Sequence, residues 1–284
     1  MKKWIALVTA IIATVALAAC QAPAPSAAPS DAAILPAASP EASAAASEAP
    51  AAGGVTLDSI KAKGELVVAT NAEYPPFEML EGEKFVGIDM EVAQIIADKL
   101  GVKLKLDNMS FDAVLAAIPS GKCDLGMSSL SITEDRTKVM DFSDPYMETS
   151  IKMIVAKDSA IATLDDLVGK KIGVQLGTLA DTTVASFVEG AEVSRMNKDS
   201  DALMELINGK VDAVMTDSAP AQALVDKNAD KVKLVDEPLS SDKLAIATKK
   251  GNAELIAFVN SVLKDMQADG SFQKIVDKYI PAAK

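Results

Sequence analysis

From Val55 onward the sequence alternates between short runs of aliphatic and β-branched residues and longer amphipathic stretches. Short apolar runs indicate buried strands, and apolar residues three and four positions apart indicate helices. Their regular alternation is typical of an α/β fold with mainly parallel sheets. About 230 residues is long for one such sheet, so we expect two lobes.

The pattern also locates the individual elements. We expect strands at residues 65–69, 103–106, 124–127, 151–156, 171–174, 213–216, 232–235 and 244–247. We expect helices at residues 89–100, 112–119, 180–188, 199–208 and 218–228. Residues 81–83 predict a turn between two short apolar pieces, and Gly101 stands where the helix before it should end.

The N-terminus has the order of a targeting signal. Lys2 and Lys3 precede an apolar stretch, residues 4–19, that ends in small residues. The segment that ends Ala18-Ala19-Cys20 resembles the lipobox of bacterial lipoproteins, which implies cleavage before Cys20 and lipidation of its thiol. The alternative is an ordinary signal peptide with a coincidental cysteine. We therefore expect residues 1–19 to be a lipoprotein signal peptide and the protein to be extracytoplasmic, lipid-anchored to the cell membrane.

Residues 20–54 follow as the modified cysteine and a tract made almost entirely of Ala, Pro, Ser and Gly. Such a composition cannot bury enough apolar surface to form a core. We expect a flexible tether that lets a folded domain stand away from the membrane.

Composition excludes several classes of function. The chain has no histidine, which removes Ser-His-Asp and Cys-His catalysis and histidine-ligated metals. Its formal charge of -12 argues against nucleic acid as a partner, because phosphate backbones would repel it. We expect no catalytic residues, no cofactor and no metal site.

A hydroxyl-rich segment contains the first candidate binding residues. Ser128, Ser129 and Ser131 follow a predicted strand, and Thr133 is a plausible N-cap for a short helix. Arg136 falls in the first turn of that helix, where a cation is unfavourable unless an anion compensates. An arginine fork beside several hydroxyls suits a small carboxylate. A surface ion pair of Arg136 with Asp135 or Asp141 is the alternative.

Three further loops follow predicted strands, and the carboxyl ends of strands are where open α/β sheets bind ligands. Asn71 and Tyr74 lie in the first loop, where Pro75 and Pro76 restrict the backbone, although Tyr74 could instead cover the lobe edge. The loop from Gln175 through Thr178 to Leu179 opens a helix whose N–H groups could attract an anion or only be capped. Asp217 ends another strand and could hold a cation or cap the next helix.

These residues carry a family resemblance. The run from Gly87 to Val92, with Ile96, Ala97 and Leu100, resembles the signature of family 3 extracellular solute-binding proteins of ABC transporters, the polar amino-acid receptors. The resemblance continues in order at residues 74–77, 111–112, 128–136, 141–144, 177–178 and 217. It covers the chain from Val55 to the C-terminus.

The resemblance implies roles for the residues that would hold the α-groups of an amino acid. Arg136 would bind the α-carboxylate, helped by Ser131, Thr178 and the backbone N–H groups near Leu179. Asp217 would hold the α-ammonium, with a carbonyl or hydroxyl near Ser129.

The resemblance also implies which residues would contact the rest of the ligand. Tyr74 and Phe111 would enclose it between aromatic faces, and Asn71, Ser128 and Gln175 lie where the family varies with the ligand's side chain. Receptors for cationic amino acids typically carry an acid at the position of Asn71, which favours other ligands. Glu73 is nearby and could supply the charge instead.

The implied fold is the type II periplasmic-binding-protein-like fold, with the ligand in the cleft between two lobes. Lobe 1 would comprise residues 55–150 plus 243–284 and lobe 2 residues 151–242, with hinges near Ser150 and Asp242. The implied function is the substrate-binding component of an ABC importer. This monomer would capture a free amino acid by closure and deliver it to the permease.

Two other functions stay open for this fold. One is a cyclohexadienyl or arogenate dehydratase, for which Glu73 would be the acid at the leaving hydroxyl. The other is a surface adhesin or sensor lipoprotein. The residues do not decide which amino acid binds.

Overall fold

A computed structural model of the protein describes residues 56–281 except 236 and 238. The predicted signal peptide, the lipidated Cys20 and the tether lie outside the described residues. Within the described part, no helix combines the length and the apolar character that crossing a membrane requires.

The chain forms strands and helices in alternation. The strands are β1 (Glu65–Thr70), β2 (Glu73–Tyr74), β3 (Glu78–Glu81), β4 (Lys84–Val86), β5 (Lys103–Asn108), β6 (Leu125–Ser131), β7 (Met140–Phe142), β8 (Met147–Thr149), β9 (Ile151–Ala156), β10 (Lys171–Gln175), β11 (Glu192–Met196), β12 (Ala213–Asp217), β13 (Val232–Val235) and β14 (Asp242–Lys249). The helices are α1 (Leu57–Lys63), α2 (Ile88–Leu100), α3 (Phe111–Ser120), α4 (Glu134–Val139), α5 (Leu179–Phe187), α6 (Asp199–Ile207), α7 (Ser218–Asp226), α8 (Ala253–Ala268) and α9 (Ser271–Tyr279).

The strands form two main sheets in the described part of the chain. The first has the order β5-β1-β6-β14-β7, and β8 also pairs with β14. The second has the order β11-β10-β12-β9-β13, and a small third sheet has the order β2-β3-β4. The chain passes from the first sheet to the second at Ser150, between β8 and β9, and it returns at β14. The limits of the lobes and their hinges stay predictions.

Both main sheets are mixed, which corrects the expectation of mainly parallel sheets. β1 is parallel to β5 and β6, and β10 is parallel to β11 and β12. β14 is antiparallel to β6, β7 and β8, and β9 is antiparallel to β12 and β13. β9 and β14 are the first strands that the chain forms after it crosses from one sheet to the other. They are therefore not placed by a βαβ crossover, which would make them parallel to their neighbours.

Helices cover both faces of each main sheet. One apolar cluster joins the first sheet to α1, α2, α8 and α9, and another joins its opposite face to α3. In the second sheet, α5 packs in one cluster, and α6 and α7 pack in the other. With both faces buried, the loops at the strand ends are where polar side chains can meet a ligand.

The predicted helix at 89–100 is confirmed as α2, and its start depends on a glycine. Ile88, Val92 and Ile96 are buried on one face, and the helix ends at Gly101 in the left-handed conformation. Gly87 precedes the helix with φ 126° and ψ 172°, a region that is essentially restricted to glycine. A Cβ atom at Gly87 would lie 2.1 Å from the carbonyl oxygen of Phe77.

We predict that Gly87→Ala lowers the free energy of unfolding by about 1–3 kcal/mol or more, because it combines backbone strain with this collision. Gly82→Ala is the control, since Gly82 also has a positive φ, 65°, but a Cβ atom there would meet no atom within 4 Å. Urea unfolding of both variants measures the difference. A Gly87→Ala variant that is as stable as Gly82→Ala would contradict the prediction.

Candidate functional site

A small, narrow cavity lies between the two main sheets, at the carboxyl ends of their strands. The side chains around it are mainly polar and come from both sheets. The lining residues are Asn71, Tyr74, Glu78, Phe111, Ser128, Ser129, Ser131, Gln175, Thr178, Leu179 and Asp217. Every predicted ligand-binding residue except Arg136 lines this cavity, and Glu78 is an addition.

Strand ends bring these residues together. Asn71 follows β1, Ser131 ends β6, Gln175 ends β10 and Asp217 ends β12. The three serines were expected in a loop, but they form the last part of β6 and are buried. The strand is longer than expected because β14 pairs with its end, opposite Leu130 and Ser131.

Arg136 lies beside the cavity and joins the two sheets. Thr133 caps α4 as predicted, since its side chain accepts a hydrogen bond from the Arg136 N–H. The guanidinium donates to the Ser131 carbonyl at 2.8 Å and to the Gly177 carbonyl at 2.9 Å, and it lies over the Phe111 ring at 5.6 Å. Two of its five N–H donors are thus used by carbonyls from different sheets.

The alternative for Arg136, a surface ion pair with Asp135 or Asp141, is not what the structure shows. Asp135 pairs with Lys138 at 2.7 Å, and Asp141 pairs with Lys250 at 2.8 Å. Burial lowers the pKa of Arg136, while the charges of Asp242 and Asp217 raise it. The guanidinium is therefore a desolvated cation beside the cavity, which is a favourable place for an anion.

The loop after β10 contacts Arg136 through the Gly177 carbonyl and lines the cavity with Thr178 and Leu179. Gly177 makes the turn with φ 82°, and its N–H donates to Asp181. The Thr178 hydroxyl donates to the Gln175 carbonyl, and it accepts a hydrogen bond from the Asp181 N–H at 3.3 Å. Thr178 therefore caps α5 and lines the cavity at the same time.

Asp217 does not cap α7, although it stands at the N-cap position. Its Oδ2 instead accepts a hydrogen bond of 2.6 Å from the Tyr74 hydroxyl, which comes from the other side of the cavity. Its Oδ1 is buried and has no hydrogen-bond partner among the described residues. Burial raises the pKa of Asp217 to about 7, and the neighbouring charge of Asp242 acts in the same direction. A cation placed at Oδ1 would relieve both effects.

Two more contacts join the sides of the cleft near Asn71. The Gln175 amide donates to Asn71 Oδ1 at 2.9 Å, and Asn71 donates to the Met109 carbonyl. Lys198 pairs with Glu73 at 2.7 Å. Glu73 does not line the cavity, because this ion pair holds it at the mouth of the cleft.

Glu78 is the lining residue that the sequence analysis missed. It is fully buried, and its two carboxyl oxygens accept hydrogen bonds from the Ser128 and Ser129 hydroxyls. Burial raises its pKa, and the nearby charge of Asp89 raises it further. Its position one residue after Phe77 in β3 carries no signal of burial, because the partners come from a strand distant in sequence.

The cavity thus offers a ligand three kinds of contact. It has a cation and hydroxyls at one end, the carboxyl of Asp217 and the Tyr74 and Phe111 rings around it, and a second carboxyl at Glu78. Two α/β sheets that enclose such a cavity define a two-lobed ligand-binding protein.

Comparisons with known proteins assign the family. Residues 66–282 match the model of the bacterial extracellular solute-binding proteins, family 3. The L-cystine-binding protein TcyJ of Escherichia coli K12 is 34% identical over 80% of this chain and 86% of its own. The arginine-binding extracellular protein ArtP of Bacillus subtilis is 30% identical over the full length of both.

The solved structures agree. The P235GK mutant of ArgBP from T. maritima has a TM-score of 0.75 and 40% identity, covering 78% of this chain and 98% of its own. The chain therefore belongs to the family 3 solute-binding proteins, and the two-lobed fold predicted from the sequence is confirmed.

Proposed function

We propose that this protein captures a free α-amino acid between its lobes and delivers it to the permease of an ABC importer. One observation carries the proposal. The half-buried guanidinium of Arg136, which contacts Ser131 and Phe111, and the carboxyl of Asp217, whose buried Oδ1 has no hydrogen-bond partner among the described residues, flank the same small cavity. A ligand that carries a carboxylate and an ammonium on one carbon complements both.

The proposed mechanism is closure of the two lobes around the ligand. We assign residues 55–150 plus 243–284 to lobe 1 and residues 151–242 to lobe 2. Arg136 and Tyr74 then belong to lobe 1, while Gly177 and Asp217 belong to lobe 2. The contacts of Arg136 with Gly177 and of Tyr74 with Asp217 exist only when the lobes meet. A ligand that binds Arg136 and Asp217 together therefore favours the closed form.

Glu78 supports an amino acid with a cationic side chain. The expectation against such a ligand rested on Asn71, which is an amide held by Gln175 and Met109. Glu78 provides the acid at another position in the cavity, and a cation near it would offset the cost of its burial. ArtP and ArgBP, whose names describe arginine binding, are compatible with this class of ligand.

Glu73, the acid that the dehydratase alternative requires, is paired with Lys198 and does not line the cavity. Glu78 would have to replace it. The relatives named above are binding proteins, which favours transport. Incubation with prephenate or arogenate, followed by absorbance of phenylpyruvate or phenylalanine, separates the two, because a binding protein leaves both compounds unchanged.

We further propose that the protein is a monomer held on the outer face of the membrane through lipidated Cys20. The resemblance of the N-terminal segment to a lipobox supports the anchor. We predict that labelled palmitate is incorporated into the wild type and that Cys20→Ser removes the label and releases the protein from the membrane fraction. A Cys20→Ser variant that stays labelled and membrane-bound would contradict the anchor.

We predict that Arg136→Ala weakens amino-acid binding by about 2–5 kcal/mol, the usual result of removing one partner of a buried charge pair. Lys138→Ala is the control, because Lys138 lies in the same helix and its two ion pairs, with Glu134 and Asp135, are exposed. Titration calorimetry with L-arginine, after a thermal-shift screen of all twenty amino acids, measures both. Unchanged binding in Arg136→Ala would refute the assignment.

We predict that Glu78→Gln lowers the affinity for L-arginine more than tenfold and changes the affinity for L-citrulline less. L-Citrulline has the same length and is neutral, so it loses no charge-assisted hydrogen bond, which contributes about 1.5–3 kcal/mol. Glu81→Gln is the control, since Glu81 is an exposed residue of the same strand. An equal loss for both ligands would contradict the role of Glu78.

A further inference from the structure

Four side-chain oxygens form a continuous chain across the cleft behind the cavity. Asp199 Oδ2 is hydrogen-bonded to the Thr216 hydroxyl, which lies 3.0 Å from the Tyr74 hydroxyl. The Tyr74 hydroxyl lies 2.6 Å from Asp217 Oδ2. Tyr74, Thr216 and Asp199 are all buried, so water does not take part in these contacts. Asp199 does not line the cavity, and the proposed function gives it no role.

The number of protons shared by these four oxygens decides the charge of the hydrogen-bonded chain. Each of the three oxygen–oxygen contacts needs one proton to be a hydrogen bond. Thr216 and Tyr74 supply one proton each. If both carboxyls were ionised, two protons would serve three contacts, and the Thr216 and Tyr74 oxygens would face each other with lone pairs only. The completed chain therefore contains one more proton, carried by a carboxyl.

The partners of the two carboxyls show which one holds this proton. The unpaired Oδ1 of Asp217 belongs to a residue that lines the cavity, and under the proposed function the ligand's ammonium binds there and keeps Asp217 ionised. Asp199 also has a buried, unpaired Oδ1. An unpaired oxygen is less costly on a neutral acid than on a carboxylate, because the charged form loses more hydration.

We propose that Asp199 is a positioning residue that acts through Thr216. As a neutral carboxylic acid it donates to the Thr216 hydroxyl, which donates to Tyr74, and the Tyr74 hydroxyl is thereby directed onto Asp217. Closure around the amino acid then takes up one proton.

The immediate surroundings of Asp199 are consistent with a neutral acid. Lys198 precedes it but is paired with Glu73 at 2.7 Å, and Asp201 in the same helix is exposed. Lys152 of β9 lies opposite Thr216 in the strand register. Burial raises the pKa of Asp199 to about 7, and the charge of Asp217 raises it while the Thr216 hydrogen bond lowers it. The start of α6 favours the ionised form, an effect smaller than the cost of burial.

The charged groups on the other side of the chain face Asp217. Arg136 of α4 lowers the pKa of Asp217, and Asp242 of β14 raises it. Glu78 of β3 and Tyr146 both have a raised pKa to which the charge of Asp217 contributes. These groups act on Asp217 in opposite directions, so the ammonium of the bound ligand is what keeps Asp217 ionised and leaves Asp199 as the site of the extra proton.

The sign of the pH dependence follows from the raised pKa. We expect the departure of Tyr74 in the open protein to let water reach Thr216 and Asp199, so that Asp199 titrates at about 4, the ordinary value for aspartate. In the closed protein it titrates at about 7. The proton on Asp199 stabilises the closed form fully when the pH is below the pKa of Asp199 in the open protein. This stabilisation is lost as the pH rises through the pKa of Asp199 in the closed protein. Affinity should therefore fall about tenfold per pH unit between about 4 and 7 and level off above.

The experiment compares proton uptake in wild type and Asp199→Asn. Calorimetric titration with L-arginine at pH 6, in two buffers of different ionisation enthalpy, gives the number of protons taken up on binding. We expect Asp199→Asn to take up about one proton fewer than wild type, because the Asn amide donates to Thr216 as the neutral acid does. Contributions of Glu78 and Asp89, which are present in both proteins, cancel in this difference.

Further variants distinguish this role from a structural one. Asp201→Asn, the same change at an exposed site in the same helix, should behave as wild type. Thr216→Val keeps the shape of the side chain but removes the hydroxyl that links Asp199 to Tyr74. This variant should bind the amino acid more weakly and also lose the proton uptake. Asp199→Asn should bind at pH 8 at least as tightly as wild type. Equal proton uptake in wild type and Asp199→Asn, or weaker binding of Asp199→Asn at pH 8, overturns the proposal.

This inference rests on the proposed function, and the two can fail separately. If no amino acid binds to the wild type, the proposed function is wrong. The proton uptake on closure then falls with it. If L-arginine binds to the wild type but proton uptake is the same in wild type and Asp199→Asn, the proposed function stands and the role of Asp199 alone is overturned.

Discussion

Among the contacts that join the two sheets, the half-buried guanidinium of Arg136 is the one that carries a charge beside the cavity. Arg136 donates to the Ser131 carbonyl of the first sheet and to the Gly177 carbonyl of the loop after β10 in the second. A guanidinium removed from water needs such partners, because an unpaired buried charge is very costly. Neither sheet supplies enough of them alone. The spacing of the sheets, and with it the width of the cavity, therefore depends on the hydrogen-bonding needs of this side chain.

Much of the fold could be predicted from local pattern. The apolar runs gave β1, β9, β10 and β13 nearly to the residue, because a strand inside a covered sheet is a short run of apolar residues. The helical period gave α2, because only one face of that helix is buried. The predicted turn at residues 81–83 joins β3 to β4, but the pattern did not give β11, the addition of β2 to this small sheet or the antiparallel direction of β14. Edge strands and strand direction depend on where distant segments meet, which periodicity does not encode.

The site was predictable where strand ends decide it. Asn71, Gln175 and Asp217 each follow or end a strand, so their proximity follows from topology. Glu78 and Asp199 were not predictable in this way. An acid in a short hairpin strand or in the first turn of a helix is normally solvated, and only the packing of Ser128, Ser129 and Thr216 around these two makes them buried. Their environment is a property of the assembled fold.

The position of β14 determines which of the two sheets can be completed first. β14 lies between β6 and β7 in the first sheet, yet it follows every strand of the second sheet in the chain. During synthesis the second sheet has all its strands once β13 has emerged, while β6 still has an unpaired edge. Long-range pairing of this kind forms slowly and leaves partly folded chains prone to aggregation. The half of the protein that is made first is thus the half that is finished last.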